Sequence, residues 1–118
     1  MALGLGAVGT GAGLVLLAGQ APEPAPVSVA EASEAAAGAC ASAARFERLV
    51  RDNATLDKVR EALDAAERQA ETAARGDATW VALVAGVQSV RVALAADDER
   101  AARVGIGVVR SECRRTAG

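Results

Sequence analysis

Residues 56–75 read LDKVREALDAAERQAETAAR. Apolar side chains fall at Leu56, Val59, Leu63, Ala66, Ala70 and Ala73, in alternating steps of three and four. That spacing lines one face of an α-helix. Ala, Leu, Glu and Arg are strong helix formers. Asp64 with Arg68, and Glu71 with Arg75, stand at i,i+4 on the other faces, where they can pair. Either Asn53 or Thr55, in the turn Asp52–Thr55, can cap the start. Gly76 ends the helix and Asp77 caps the next one.

The same reading extends outward. A first helix over 30–51 carries the stripe Ala36, Ala39, Ala43, Phe46 and Val50. A third, over 78–95, carries Trp80, Leu83, Val87, Val90 and Leu94, with Val81, Val84 and Val92 on its other sides. A helix apolar nearly all round is buried, either in a core or in a membrane. Gln88, Ser89 and Arg91 decide for the core, because an Arg at mid-membrane costs about 2.5–3.5 kcal/mol on insertion scales. A fourth, over 98–115, starts with Asp98 and Glu99 in its positive first turn. Its stripe is Ala102, Ile106, Val109 and Cys113. Gly105 and Gly107 lower its propensity by up to about 1 kcal/mol each, and both are expected to admit a close neighbour. A strand over 104–109 is the local rival, but it has no strand to pair with.

No Gly or Pro marks a break near Ala95–Asp97, so the last two helices could form one rod. The cysteines argue for a reversal. Cys40 lies near the start of the first helix and Cys113 near the end of the fourth. In an up-down-up-down bundle those ends meet; in a rod they lie tens of ångströms apart at 1.5 Å per residue. The expected fold is all-α: a small antiparallel four-helix bundle over 29–118, stapled by a Cys40–Cys113 disulfide. Ala supplies 31 of the 118 residues, so the core is thin in large side chains. Closing so long a loop would stabilise it by roughly 4 kcal/mol in the chain-entropy model. Disulfides belong to oxidising compartments, which points to export.

Composition excludes much chemistry. The chain has no His and no Tyr, and Phe46 and Trp80 are its only aromatics. Imidazole bases, His-ligated metals and stacking platforms for single-stranded nucleic acid are therefore absent. Net charge is −2, which gives no field for a polyanion. Asp97-Asp98-Glu99 is explained by helix capping rather than a cation. No catalytic residue, cofactor or metal is expected, nor nucleic acid as partner. Phe46 and Trp80 are the candidate core or partner anchors. Arg110, Arg114 and Arg115 cluster near the carboxyl terminus; they suit either water-facing C-terminal cations or contact with anionic headgroups, worth about 1 kcal/mol each.

Residues 1–22 carry no charged side chain. About 20 apolar residues suffice to span a bilayer. Residues 1–21 are expected to be a Gly-rich hydrophobic helix acting as a signal anchor. A cleaved signal peptide and a buried cytosolic leader are the rivals. The absence of Lys and Arg before the run, and Pro22 after Gly19-Gln20-Ala21, fit cleavage poorly. Leu16–Gly19 resembles a lipobox, but Gln20 stands where the lipid-bearing Cys would be. Residues 22–28 hold all three prolines and read as a stiff, extended spacer. Ala, Gly, Val and Arg have GC-rich codons, and their abundance suggests a bacterial source. The expected protein is a non-catalytic domain tethered outside the cytoplasmic membrane, binding a protein partner. The alternative is a secreted domain, free to hold a small apolar ligand between its helices.

Overall fold

A computed structural model of the chain describes residues 25–117. These residues are helical with short turns and no strand: α1 (Val29–Arg51), α2 (Leu56–Gly76), a 3₁₀ turn (Ala78–Trp80), α3 (Val81–Ala95) and α4 (Glu99–Ala117). The expected hydrophobic helix over 1–21, and residues 22–24 of the proline spacer, lie outside the described residues.

Each helix begins and ends for a local reason. Ser28 and Glu31 form a capping box: Ser28 Oγ accepts from the Glu31 amide at 3.0 Å, and Glu31 Oε1 accepts from the Ser28 amide at 2.9 Å. Bonds to the Ser28 amide, and then to its hydroxyl, hold the Glu31 carboxyl below its ordinary range. Thr55, and not Asn53, caps α2. Asn53 instead takes a left-handed φ of 56° just past α1. Its amide reaches Val50 O and the Ala54 amide reaches Leu49 O, the double bond of a Schellman end. Asp97 repeats this after α3, with φ 54° and amide bonds from Asp97 to Leu94 O and from Asp98 to Ala93 O. The reversal between α3 and α4 is thus made by an aspartate in a glycine's usual place. Asp98 then caps α4, accepting from the Ala101 amide at 3.0 Å.

The four helices form a bundle in which sequential neighbours pack together and α4 closes onto α1. Cross-contacts run antiparallel at every seam. Ser42 bonds Gln69 at 2.7 Å and Arg45 approaches Glu61 between α1 and α2. Arg91 bonds Glu67 through Nε at 2.7 Å and Asp64 through Nη2 between α3 and α2. Asp64 therefore serves Arg91, rather than pairing with Arg68 along its own helix. These two carboxylates raise the Arg91 pKa, Asp64 contributing most.

Alanines make the α1–α2 seam. Ala32, Ala36, Ala39 and Ala43 bury against Ala62, Ala66, Ala70 and Ala73. Side chains this small let two helices approach closely. Gly76 belongs to the same design: a Cβ there would stand 2.7 Å from Ser28 O and from Val27 Cγ1. Its role is close approach to the start of α1, not the left-handed turn expected of a terminal glycine. The bulk comes from elsewhere: Leu83, Val87 and Val90 are the largest fully buried side chains, with Phe46, Leu63 and Trp80 beside them. Three expected stripe members fall outside the core. Val50, Leu56 and Leu94 are exposed because each sits at a helix end, beyond the reach of the facing helices.

Candidate functional site

The open part of the bundle is the seam between α1 and α4. On α4, Gly105 and Val109 are buried against the core, whereas Ala102, Ile106 and Cys113 are only half-buried because α4 stands off α1. The disulfide crosses this seam: Cys40 and Cys113 are bonded, with an S–S distance of 2.10 Å and α-carbons 5.7 Å apart. Two turns further along α1, and one turn back along α4, the Glu47 carboxylate pairs with Arg110 Nη2. That bond, more than simple charge proximity, raises the Arg110 pKa.

Two clefts flank the Glu47–Arg110 pair. The larger, of about 450 Å³, lies between the end of α1, the start of α4 and the α3–α4 turn. Its walls are Phe46, Val50, Leu94 and Ile106, and its mouth carries Arg51 with Asp97–Glu99. The exposed ends of two expected core stripes, Val50 and Leu94, are thus cleft walls. The smaller, of about 400 Å³, lies beside the disulfide, against Ala43, Ala44 and Val109. A volume of several hundred Å³ with apolar walls and a few polar groups suits one bulky apolar side chain or a small ligand.

Among the described residues no three Cys, Asp or Glu side chains gather as a metal site. Three hydroxyls are tied locally: Ser89 donates to Ala85 O, Thr72 to Arg68 O and Thr79 to Asp77. The Thr79 hydroxyl, then its amide, hold the Asp77 carboxyl below its ordinary range, with Arg115 adding charge.

The three terminal arginines do not all share one place. Arg110, paired across the seam, and Arg114 both line the cleft beside the disulfide. Arg115 turns the other way. Its guanidinium lies 4.1 Å above the Trp80 ring, and its Nη2 donates to Thr79 O at 2.7 Å and to Glu112 at 2.8 Å. Trp80 is 6% exposed and sits in the 3₁₀ turn before α3, at the opposite end of the bundle from Phe46. The two aromatics therefore build two separate places: Phe46 floors the larger cleft, and Trp80 closes the base of the core under Arg115. Glu47 was not singled out in the sequence, where one charge on a polar face carries no distinguishing signal.

Fold and site together define a small disulfide-stapled helical bundle with one open seam. No family model, curated protein or solved structure matches the chain.

Proposed function

We propose that this chain is a non-catalytic helical domain held outside a bacterial cytoplasmic membrane by residues 1–21. There it acts as an interaction or accessory subunit, and the α1–α4 cleft receives an apolar group of a protein partner. The observation that carries this reading is the Cys40–Cys113 disulfide, which joins α1 to α4 through cysteines 73 residues apart in sequence. Such a staple persists where thiols are not kept reduced. The charge-free run over 1–22 supplies a means of export and retention.

Expression of the full chain with a carboxyl-terminal reporter active only outside the cytoplasm tests the reading. Reporter activity in the membrane fraction, on protein whose intact mass includes residues 1–21, is the expected result. Activity confined to the cytoplasm would overturn it.

The larger cleft favours a second reading. A secreted form, freed of residues 1–21, would use the 450 Å³ between Phe46 and Ile106 to carry a small apolar ligand. Native and denaturing masses that differ by a bound organic molecule would support it.

A further inference from the structure

The four helices are not held in the same way. Helix α1 buries five side chains and α2 six. Helix α3 buries Leu83, Val87, Val90 and Ala93, and Arg91 bonds it to Asp64 and Glu67 of α2. Among the described residues α4 sends one side chain into the core, Val109. Ala102, Ile106 and Cys113 stop half-buried. Helix α4 also has two interior glycines, Gly105 and Gly107, where α1 and α3 have one each. Glycine is the poorest helix former after proline, so α4 is weak in itself as well as thinly packed. Few buried apolar side chains and a poor intrinsic helix are the marks of a segment that opens locally.

The attachments of α4 are correspondingly few. Toward α3, the approach at Gly86 and Gly105 sets backbone close to backbone. Toward α1, α4 has the Cys40–Cys113 bond and the Glu47–Arg110 pair. The Arg110 side chain is 63% exposed, and an ion pair so open to water contributes little. Arg115 adds its stack on Trp80 and an exposed bond to Thr79 O. Cys113 lies near the opposite end of α4 from the Asp97 turn, so the disulfide pins the end that the turn leaves free.

We propose that the Cys40–Cys113 disulfide is a redox latch for α4: in the dithiol chain α4 leaves the seam while α1, α2 and α3 stay folded, and the α1–α4 clefts form on oxidation. The inference takes its place in the cell from the export reading, under which the chain meets an oxidant only after crossing the membrane. The cleft assigned to the partner is then absent before export and completed after it.

The latch closes by exchange with a disulfide oxidant. One cysteine thiolate attacks the oxidant, forming a mixed disulfide and releasing one thiol. The other cysteine then displaces the second thiol. Two cysteine thiols are oxidised to one bond, the oxidant's disulfide is reduced to two thiols, and the two protons pass to the released sulfurs. Both cysteines are half-buried and line the open cleft of about 400 Å³, which gives a small disulfide access to them. Once closed, the bond keeps α4 beside α1 through any local opening, at the high effective concentration of a tethered partner.

Hydrogen–deuterium exchange with peptide mass analysis, on the full chain in mild detergent, tests the latch. It compares the oxidised protein, the protein held in reductant and a Cys40→Ser, Cys113→Ser double variant. In the last two, exchange over 99–117 should quicken at least about tenfold, while α1, α2 and α3 stay within about twofold of the oxidised protein. Unchanged protection over 99–117 in either sample overturns the latch. Loss of protection throughout the bundle overturns it too, because the staple then supports the whole domain and not one helix. Loss over α3 together with α4 moves the opening to the α2–α3 seam and likewise overturns α4 as the unit released. All three adverse outcomes leave the export reading standing, since that reading fails on the cytoplasmic reporter and not on exchange.

Discussion

Gly105 of α4 faces the backbone of Gly86 across the α3–α4 seam. A Cβ on Gly105 would stand 3.3 Å from the Gly86 carbonyl oxygen, 3.1 Å from the Val90 amide nitrogen and 2.8 Å from Val90 Cγ2. Two glycines thus set how closely α3 and α4 pack. Gly107, two residues on, would meet nothing within 4 Å.

That contrast gives a paired prediction. Gly107→Ala should stabilise the domain by up to about 1 kcal/mol, the helix-propensity difference. Gly105→Ala gains the same propensity but forces backbone and a buried valine apart, so it should destabilise by about 1–3 kcal/mol. Thermal melts of the two variants check this. Equal gains in Tm would show that the seam is looser than described.

Asp97 holds a left-handed φ of 54° at the reversal between α3 and α4. That conformation is costly for most L-residues and free for glycine. Asp97→Gly should therefore stabilise by about 0.5 kcal/mol, after glycine's greater unfolded-state entropy is subtracted. A clear loss of stability on chemical denaturation would contradict the turn geometry.

The helices were legible in the sequence because their 3–4 spacing is a one-dimensional signal. Phe46, Leu63, Leu83 and Val87 fall inside as their stripes require. The reversal near Asp97 followed from the cysteines, but the left-handed backbone that makes it was not legible, since aspartate marks such a residue far more weakly than glycine does. Nor could spacing separate Gly105 from Gly107: one faces a helix and the other solvent, and the difference is a matter of packing. The Cys40–Cys113 pairing was readable, because one cysteine near the start of the first helix and one near the end of the last meet only in an up-down-up-down bundle. The α1–α4 cleft was not, because it depends on how far α4 stands from α1. Val50 and Leu94 looked like core and became cleft wall.

Trp80 closes the base of the core beneath the Arg115 guanidinium. Trp80→Ala should cost about 3–5 kcal/mol, the range for emptying a large aromatic site. Arg115→Ala removes the stacked cation and should cost on the order of 1 kcal/mol. An unchanged Tm for Arg115→Ala would mean that Arg115 does not support Trp80.

Acid should destabilise the domain through two caps. Glu31 and Asp77 both have carboxyl pKa values lowered on folding, by bonds to Ser28 and Thr79. Their contribution is complete above the unfolded pKa values of about 4 and is lost as pH falls through the lower folded values. Tm should thus decline below about pH 4. A Glu31→Gln, Asp77→Asn double variant should melt lower at pH 7 and depend less on pH in that range. The same acid sensitivity in wild type and double variant would remove these caps as its cause.

The claim that joins fold to compartment is the oxidised state of Cys40 and Cys113 in the living cell. Acid quenching of cells expressing the full chain, then denaturation, alkylation without reductant and peptide mass analysis, measures it directly. The account predicts an unalkylated pair recovered as one cross-linked species containing Cys40 and Cys113, which separates into two alkylated peptides only after reduction. Recovery of both cysteines alkylated before any reductant is added would place the domain among reduced thiols, and would contradict the proposed location outside the cytoplasm.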